Sequence, residues 1–342
     1  HYSAKDNMIH VRNLVKQYKR VVGRPGLLGS VQSLFNPQYR TTTAVDDISF
    51  DIAEGELVGY IGPNGAGKST SIKMLCGILV PTSGLVTVGG LVPHKERMAN
   101  ALQIGAVFGQ KTQLWWDVPV IESLNLFRDI YNVSNANFKR NLELFNELLD
   151  LHEFQNTPVR HLSLGQRMRA DMAAALLHNP RLLLLDEPMI GVDVVVKERM
   201  RNFIHQINRE QKVTILLTTH DMVDIEKVCT RIMIIDHGRI VYDGSPAQMR
   251  QSYGTERTLL VEFEEAVPDF EIPNAKLTAS EGCTKSYTFN RFAASPSGLI
   301  SEIDKRYPIL DLSVQEPEIE QIVRTIYQGL PARGDAPENP KG

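Results

Sequence analysis

The sequence predicts an α/β fold, a parallel sheet with covering helices, followed by a smaller α/β domain toward the C-terminal end. Three observations predict it. An apolar run at 57–61 ends in the glycine-rich stretch Gly62-Pro63-Asn64-Gly65-Ala66-Gly67-Lys68-Ser69-Thr70, and helical spacing follows over 69–79. Short apolar runs recur at 104–110, 182–185, 213–217 and 232–235, as strands covered on both faces require. Between 120 and 178 the period changes to that of helices, with Ile121, Leu124, Leu126 and Phe127 on one face and Leu142, Leu144, Phe145, Leu148 and Leu149 on another.

The chain of 342 residues has room for one large or two ordinary domains. A hydrophobic share of 42% and a charged share of 23% belong to a globular protein, and a net charge of −3 speaks against general nucleic-acid binding. Three widely spaced cysteines, Cys76, Cys229 and Cys283, suggest neither a disulfide framework nor a zinc site. No apolar run approaches the roughly 20 residues that span a bilayer. Residues 1–7 precede the first methionine and are set aside as a trimmed or added start.

Taken in order, the chain reads as strand at 9–11 and 14–18, then a stretch from 19 to 43, then strand at 44–52. That stretch carries Lys19, Arg20, Arg24 and Arg40 and no acid. Within it Leu27, Leu28, Val31, Leu34 and Phe35 fall at helical spacing, predicting a short amphipathic helix that packs on its own domain or faces a membrane or partner. Pro81-Thr82-Ser83-Gly84 marks a turn before a strand at 85–88.

The glycine-rich stretch carries specific chemistry. Gly62, Gly65 and Gly67 let successive backbone N–H groups turn into one concavity, and the following helix adds the positive end of its dipole. Lys68 then reaches β- and γ-phosphates, and the Ser69 hydroxyl is placed to ligate Mg²⁺. This is a P-loop for a nucleoside triphosphate. Four leucines at 182–185 deliver Asp186 and Glu187 to a strand end, the first toward the metal, the second toward the water that attacks the γ-phosphate.

Leu162-Ser163-Leu164-Gly165-Gln166-Arg167 precedes a helical run shortly before that strand. The order Gln110, Ser163-x-Gly165-Gln166, Asp186-Glu187, Asp193, His220 resembles the ATP-binding cassette (ABC) ATPases over roughly residues 8–250. The resemblance implies an ABC-type nucleotide-binding domain using ATP and Mg²⁺. In it Gln110 senses the metal and the attacking water, and Ser163, Gly165 and Gln166 form a phosphate cradle for the nucleotide on the partner's P-loop. Asp193 crosses between subunits, and His220 contacts the γ-phosphate. Ser163 is equally good capping chemistry for a helix. Tyr18, ending the first strand, is favoured over Tyr39 as the aromatic that stacks on adenine. The pattern departs from the family at Leu164, where many members have glycine, and at Met189, where threonine is frequent.

The expected domains are 8–254 for the cassette, with the insertion 19–43 and a helical subdomain at about 115–178, then 255–329 for an accessory domain and 330–342 for a disordered tail. The accessory domain resembles that of ATPases powering ABC-2-type exporters, and the insertion is similar to those of drug, viologen and polysaccharide exporter ATPases. The resemblance implies a motor at the cytoplasmic face of the inner membrane, pairing with a second copy of itself and driving a separate permease, with no nucleic-acid partner. The competing class is a non-transport ABC ATPase acting on ribosomes or DNA, whose members usually carry two cassettes or long coiled coils.

Overall fold

The computed structural model describes residues 7–22, 38–109 and 111–328. Gln110, the stripe formed by Leu27, Leu28, Val31, Leu34 and Phe35, and the tail from 330 onward lie outside the described residues. The described residues form two compact units that divide between Asp243 and Gly244.

The first unit contains β1 (Asn7–Val22), β2 (Gln38–Ala53), β3 (Leu57–Ile61), α1 (Lys68–Leu75), β4 (Ser83–Val88), α2 (Arg97–Gln103), β5 (Ile104–Phe108), α3 (Val120–Ile130), α4 (Asn135–Leu149), α5 (Leu164–Leu176), β6 (Leu182–Asp186), α6 (Val194–Gln211), β7 (Thr214–Thr219), α7 (Met222–Val228), β8 (Arg231–Asp236) and β9 (Arg239–Gly244). Six strands form its main sheet in the order β5-β6-β7-β3-β8-β9, and the pairs β5/β6, β6/β7, β7/β3 and β3/β8 are parallel. Leu182 to Leu185 and Ile215 to Leu217 are wholly buried. Burial on both faces is why these strands read as unbroken apolar runs, and each leucine contributes about 1.5–3 kcal/mol. The register sets Phe108 beside Asp186, Asp186 beside Thr218 and Thr219 beside Ile61. The carboxyl ends of four strands are therefore level, which is where open α/β sheets bind ligands.

The N-terminal strands belong to a different sheet. β2, β1 and β4 form an antiparallel three-stranded sheet in that order. Its buried face, including Ile9, Val11, Leu14, Ile48, Phe50, Ile52 and Val88, packs with Val58, Tyr60, Ile72 and Met74 in one core. Alternation over 48–52 is the mark of a sheet with one covered face. The stretch expected as a loop from 19 to 43 is strand at both its ends. Lys19 pairs with Thr41, Arg20 with Arg40, Val21 with Tyr39 and Val22 with Gln38. The β-branched residues Val21, Val22 and Thr41 to Thr43 favour that extension. The helix after the P-loop stops at Leu75, short of the expected 79. Gly77 (φ 73) takes the left-handed conformation, and the N–H groups of Ile78 and Leu79 turn back to the Lys73 carbonyl.

The second unit contains α8 (Pro246–Tyr253), β10 (Glu256–Phe263), β11 (Ala275–Glu281), β12 (Thr284–Asn290), α9 (Pro296–Asp304), β13 (Ile309–Gln315) and α10 (Ile319–Gln328). Its sheet, β11-β12-β10-β13, is antiparallel throughout. Leu259, Val261, Phe263, Tyr287 and Phe289 meet Leu299 and Ile303 of α9 in a separate core. The division falls one short helix before the boundary expected after Gly254, because α8 packs on α10. No helix among the described residues is long and apolar enough to cross a membrane.

Candidate functional site

The loop between β3 and α1 owes its path to glycine at three places, each for a different reason. A Cβ on Gly62 would lie 2.2 Å from the Ile235 carbonyl oxygen, so the backbone needs that space. Gly67, at φ +112, would press a Cβ to 2.4 Å from the Ala44 carbonyl. Gly65, at φ +83, has open space around it, and only its left-handed conformation selects glycine. Pro63, Asn64 and Gly65 form the exposed crest, whereas Ala66 is buried. Among the described residues no side chain caps α1, so the N–H groups of its first turn, with Ser69 exposed and Thr70 half-buried there, are free to meet an anion.

Lys68 is 5% exposed and donates to the carbonyls of Gly62 at 2.6 Å and Pro63 at 3.1 Å. Burial depresses its pKa, and the charges of Glu187 and Asp186 oppose that shift. An ammonium held within its own loop beside two carboxylates is poised for phosphate oxygens, whose charge-assisted bonds are stronger than those to carbonyls.

Asp186 and Glu187 are fixed by a residue that sequence reasoning missed. Thr218, wholly buried on β7, donates its hydroxyl to Asp186 Oδ1 at 2.7 Å and accepts from the Glu187 N–H at 3.0 Å. Glu187 is left-handed at φ 53, a conformation that costs a non-glycine residue about 1–2 kcal/mol. A second bond, from its N–H to the Thr218 carbonyl at 3.1 Å, holds it there. The only signal for Thr218 is a small polar residue ending an apolar strand two positions before His220.

The ring of His220, half-exposed, brings Nδ1 to 3.7 Å from Glu187 Oε1, beyond hydrogen-bond range but within reach of a shared ligand. Gly109 closes the other side. Its N–H donates to the Asp186 carbonyl at 2.8 Å, and a Cβ there would lie 2.0 Å from the Glu187 carbonyl. Gln110 is the next residue and is not among those described.

A second group assembles at the N-termini of α5 and α6. Ser163 caps α5 in a reciprocal box: its Oγ accepts from the Gln166 N–H at 3.2 Å, and Gln166 Oε1 accepts from the Ser163 N–H at 3.0 Å. Gly165 packs on Val196, and Gly191 on Leu164. Asp193 caps α6 by accepting from the Val196 N–H at 3.0 Å. The P-loop, Asp186, Glu187 and His220 thus stand at the carboxyl ends of β3, β6 and β7, and Ser163, Gly165, Gln166 and Asp193 at two helix starts. The two tyrosines are on one hairpin. Tyr18 pairs with Thr42 and Tyr39 with Val21, which sets their side chains on opposite faces. Lys16 Nζ lies 5.3 Å from the centre of the Tyr18 ring.

A protein-family model described as ABC transporter matches residues 45–190. The chain is 33% identical over 222 residues to the ABC transporter ATP-binding protein NatA of Bacillus subtilis, covering 65% of this chain and 90% of that one. It is 37% identical over 212 residues to the Nod factor export ATP-binding protein I of Neorhizobium galegae, covering 62% of this chain and 60% of the relative. It is 30% identical over 302 residues to the methionine import ATP-binding protein MetN 2 of Enterococcus faecalis, covering 86% and 84%. The fold is that of the ATP-binding cassette MJ0796, solved as a dimer in a post-hydrolysis state with ADP and Pi, at TM-score 0.58 and 24% identity over 70% of this chain and 98% of that one. With a nucleotide loop, a strand-end carboxylate pair and a capped signature turn on one cassette fold, the chain belongs to the ATP-binding subunits of ABC transporters and is an ATPase of that family.

Proposed function

We propose that the chain is the motor of an ABC-2-type exporter, two copies closing over two ATP molecules and driving a separate integral-membrane permease from the cytoplasmic face. The observation that carries hydrolysis is the placing of Asp186 and Glu187 by Thr218 at the strand ends beside the Lys68 loop. The P-loop N–H groups and Lys68 bind and orient the phosphates. Glu187 accepts a proton from the attacking water, and His220 and Gln110 keep the roles that the family pattern gives them.

The residues fit Mg²⁺. Ser69 offers an exposed hydroxyl on the first turn of α1, and Asp186 offers a half-buried carboxylate. No cluster of three or more His, Cys, Asp or Glu suited to a metal occurs among the described residues. Such a sparse oxygen set suits an ion that keeps phosphate oxygens and water in its shell. When bound, Mg²⁺ neutralises charge on the β- and γ-phosphates.

Export is supported by the motif set and by the relative named for Nod factor export. Import is the second reading, because the MetN 2 match spans more of both chains. A pair of identical chains is the simplest assembly, since both the P-loop and the signature turn are intact here. We assign the cassette to the unit that ends at Asp243 and the accessory domain to the unit that begins at Gly244.

Three measurements test this. Glu187→Gln should keep ATP binding, lower turnover by roughly 10²–10⁴-fold and trap an ATP-bound dimer; unchanged turnover removes Glu187 from the chemistry. Affinity purification of the full chain from membranes should bring down an integral-membrane protein, and recovery of ribosomes or DNA instead overturns the transport reading. Vesicles holding that complex give the direction: ATP-driven loss of substrate from the side bearing this chain supports export, and uptake to that side supports import.

A further inference from the structure

Outside the two groups described above, one carboxylate is buried and forms no ion pair among the described residues. Asp171 lies on α5, two turns beyond the Ser163 cap, and is 4% exposed. Its Oδ1 accepts from the Thr112 hydroxyl at 2.9 Å and from the Gln113 N–H at 3.0 Å. Gln113 Nε2 donates to the Asp171 backbone carbonyl at 3.0 Å. Thr112 Oγ1 in turn accepts from the Leu114 N–H at 3.1 Å. The chain just after Gln110 is therefore bonded to one residue of α5 through side chain and main chain together.

Packing alone does not explain an acid here. Burial raises the Asp171 carboxyl to about 6, so desolvation outweighs the bonds that it accepts. An apolar residue would leave the Thr112 hydroxyl and the Gln113 N–H without their acceptor. What the carboxylate adds is a rigid attachment of a turn to a helix whose residues 168–176 are buried throughout.

We propose that Asp171 is a positioning residue that makes the segment after Gln110 and the helix beginning at Ser163 move as one body. Whatever displaces Gln110 at the nucleotide is then felt at the signature turn. The inference rests on the roles given above to Gln110 and to Ser163–Gln166, and it follows from the three bonds between Asp171 and residues 112–113.

Hydrogen–deuterium exchange on the full chain, with and without Mg-ATP, tests it. In the wild type, Mg-ATP should change exchange at 62–70, at 111–114 and at 164–168. In Asp171→Ala the first two responses should remain and the third should vanish. Turnover should fall about 5–150-fold, the usual range for coupled sites, with ATP affinity unchanged. Asp171→Asn keeps an acceptor oxygen for both donors and should behave as wild type. Should Asp171→Ala not fold, Thr112→Val removes one of the two donors to the Asp171 carboxylate, together with the acceptor of the Leu114 N–H, and should weaken the response at 164–168 in the same direction.

The proposal is overturned by a response at 164–168 that survives in Asp171→Ala or is missing from the wild type, or by an Asn variant as impaired as Ala. Raised exchange along all of α5 without nucleotide would mean that Asp171 serves folding only, which also overturns it. Failure of the broader reading looks different: no response at 62–70 in any variant, or full turnover in Glu187→Gln.

Discussion

Thr218 offers a direct test of how the two carboxylates are held. Among the described residues its hydroxyl is the one side-chain group that bonds both Asp186 and the Glu187 backbone, and it is wholly buried. Thr218→Val removes that hydroxyl with almost no change of shape. Asp186 loses a bond to a charged acceptor, worth about 1.5–3 kcal/mol, while the Glu187 N–H keeps its bond to the Thr218 carbonyl. If the loss is felt mainly in the transition state, where both carboxylates must be aligned, turnover falls by roughly 10–150-fold at about 1.4 kcal/mol per decade. The KM for ATP, set by the P-loop, should move little. The assay is steady-state phosphate release, with equilibrium binding of a fluorescent ATP analogue as the control. Thr218→Ser restores the hydroxyl and should recover most of the turnover. Wild-type turnover in the valine variant, or a serine variant no better than valine, would refute the alignment argument.

Three further outcomes follow from the same geometry. Lys68→Ala should weaken ATP binding itself, read by titration with the fluorescent analogue, because the variant loses the buried ammonium beside the loop. Tyr18→Ala should weaken ATP binding and Tyr39→Ala should not, since the hairpin sets the two rings on opposite faces; equal losses in the same titration would contradict this. Asp171, with a folded pKa of about 6 above the ordinary 3.8, binds more protons folded than unfolded between those values, so it costs stability as pH rises through that window. The Tm advantage of Asp171→Asn over wild type should therefore grow from about pH 4.5 to about pH 7.5, and a constant difference would count against the shift.

What the sequence made legible was what is contiguous in it. Ser69 needs only its neighbours to be recognised, and so does Asp186 behind four leucines. Thr218 was not legible, because its role comes from the register of β7 against β6, which no local pattern encodes. The same holds for Asp171, whose partners precede it in a different segment. The strands at 9–18 and 44–52 were visible, yet their separate antiparallel sheet was not, although alternation at Ile48, Phe50 and Ile52 already pointed to one covered face. The long helix α6 escaped notice because it opens on three valines, Val194 to Val196, and then runs through mixed charge. The strand β11 is largely exposed and polar, so no apolar signal marks it.

The signature turn leaves one question that a single substitution answers. Ser163 at the start of α5 is a helix cap, and the structure shows the whole capping box with Gln166. A cap and a phosphate cradle are not exclusive. The Ser163 side chain takes the N–H of Gln166, and the Arg167 N–H bonds to the Ser163 carbonyl. Among the described residues no hydrogen bond engages the N–H groups of Leu164 or Gly165, the two donors that would face an anion. Ser163→Asp separates the roles. Aspartate caps as well as serine, and its charge suits a helix N-terminus, so Tm should stay the same or rise with about 0.3–1 kcal/mol of added stability. The same carboxylate would stand against the phosphates of a nucleotide brought by a second chain. ATP binding to the P-loop should then be unchanged, while ATP-driven dimerisation of the Glu187→Gln background is lost and turnover of the otherwise native chain falls by roughly 10²-fold or more, a loss of about 2.7 kcal/mol. Light scattering with and without ATP reads the first and phosphate release the second. If Ser163→Asp dimerises and turns over as the native chain does, Ser163 is a cap and nothing more, and the cradle must be sought elsewhere.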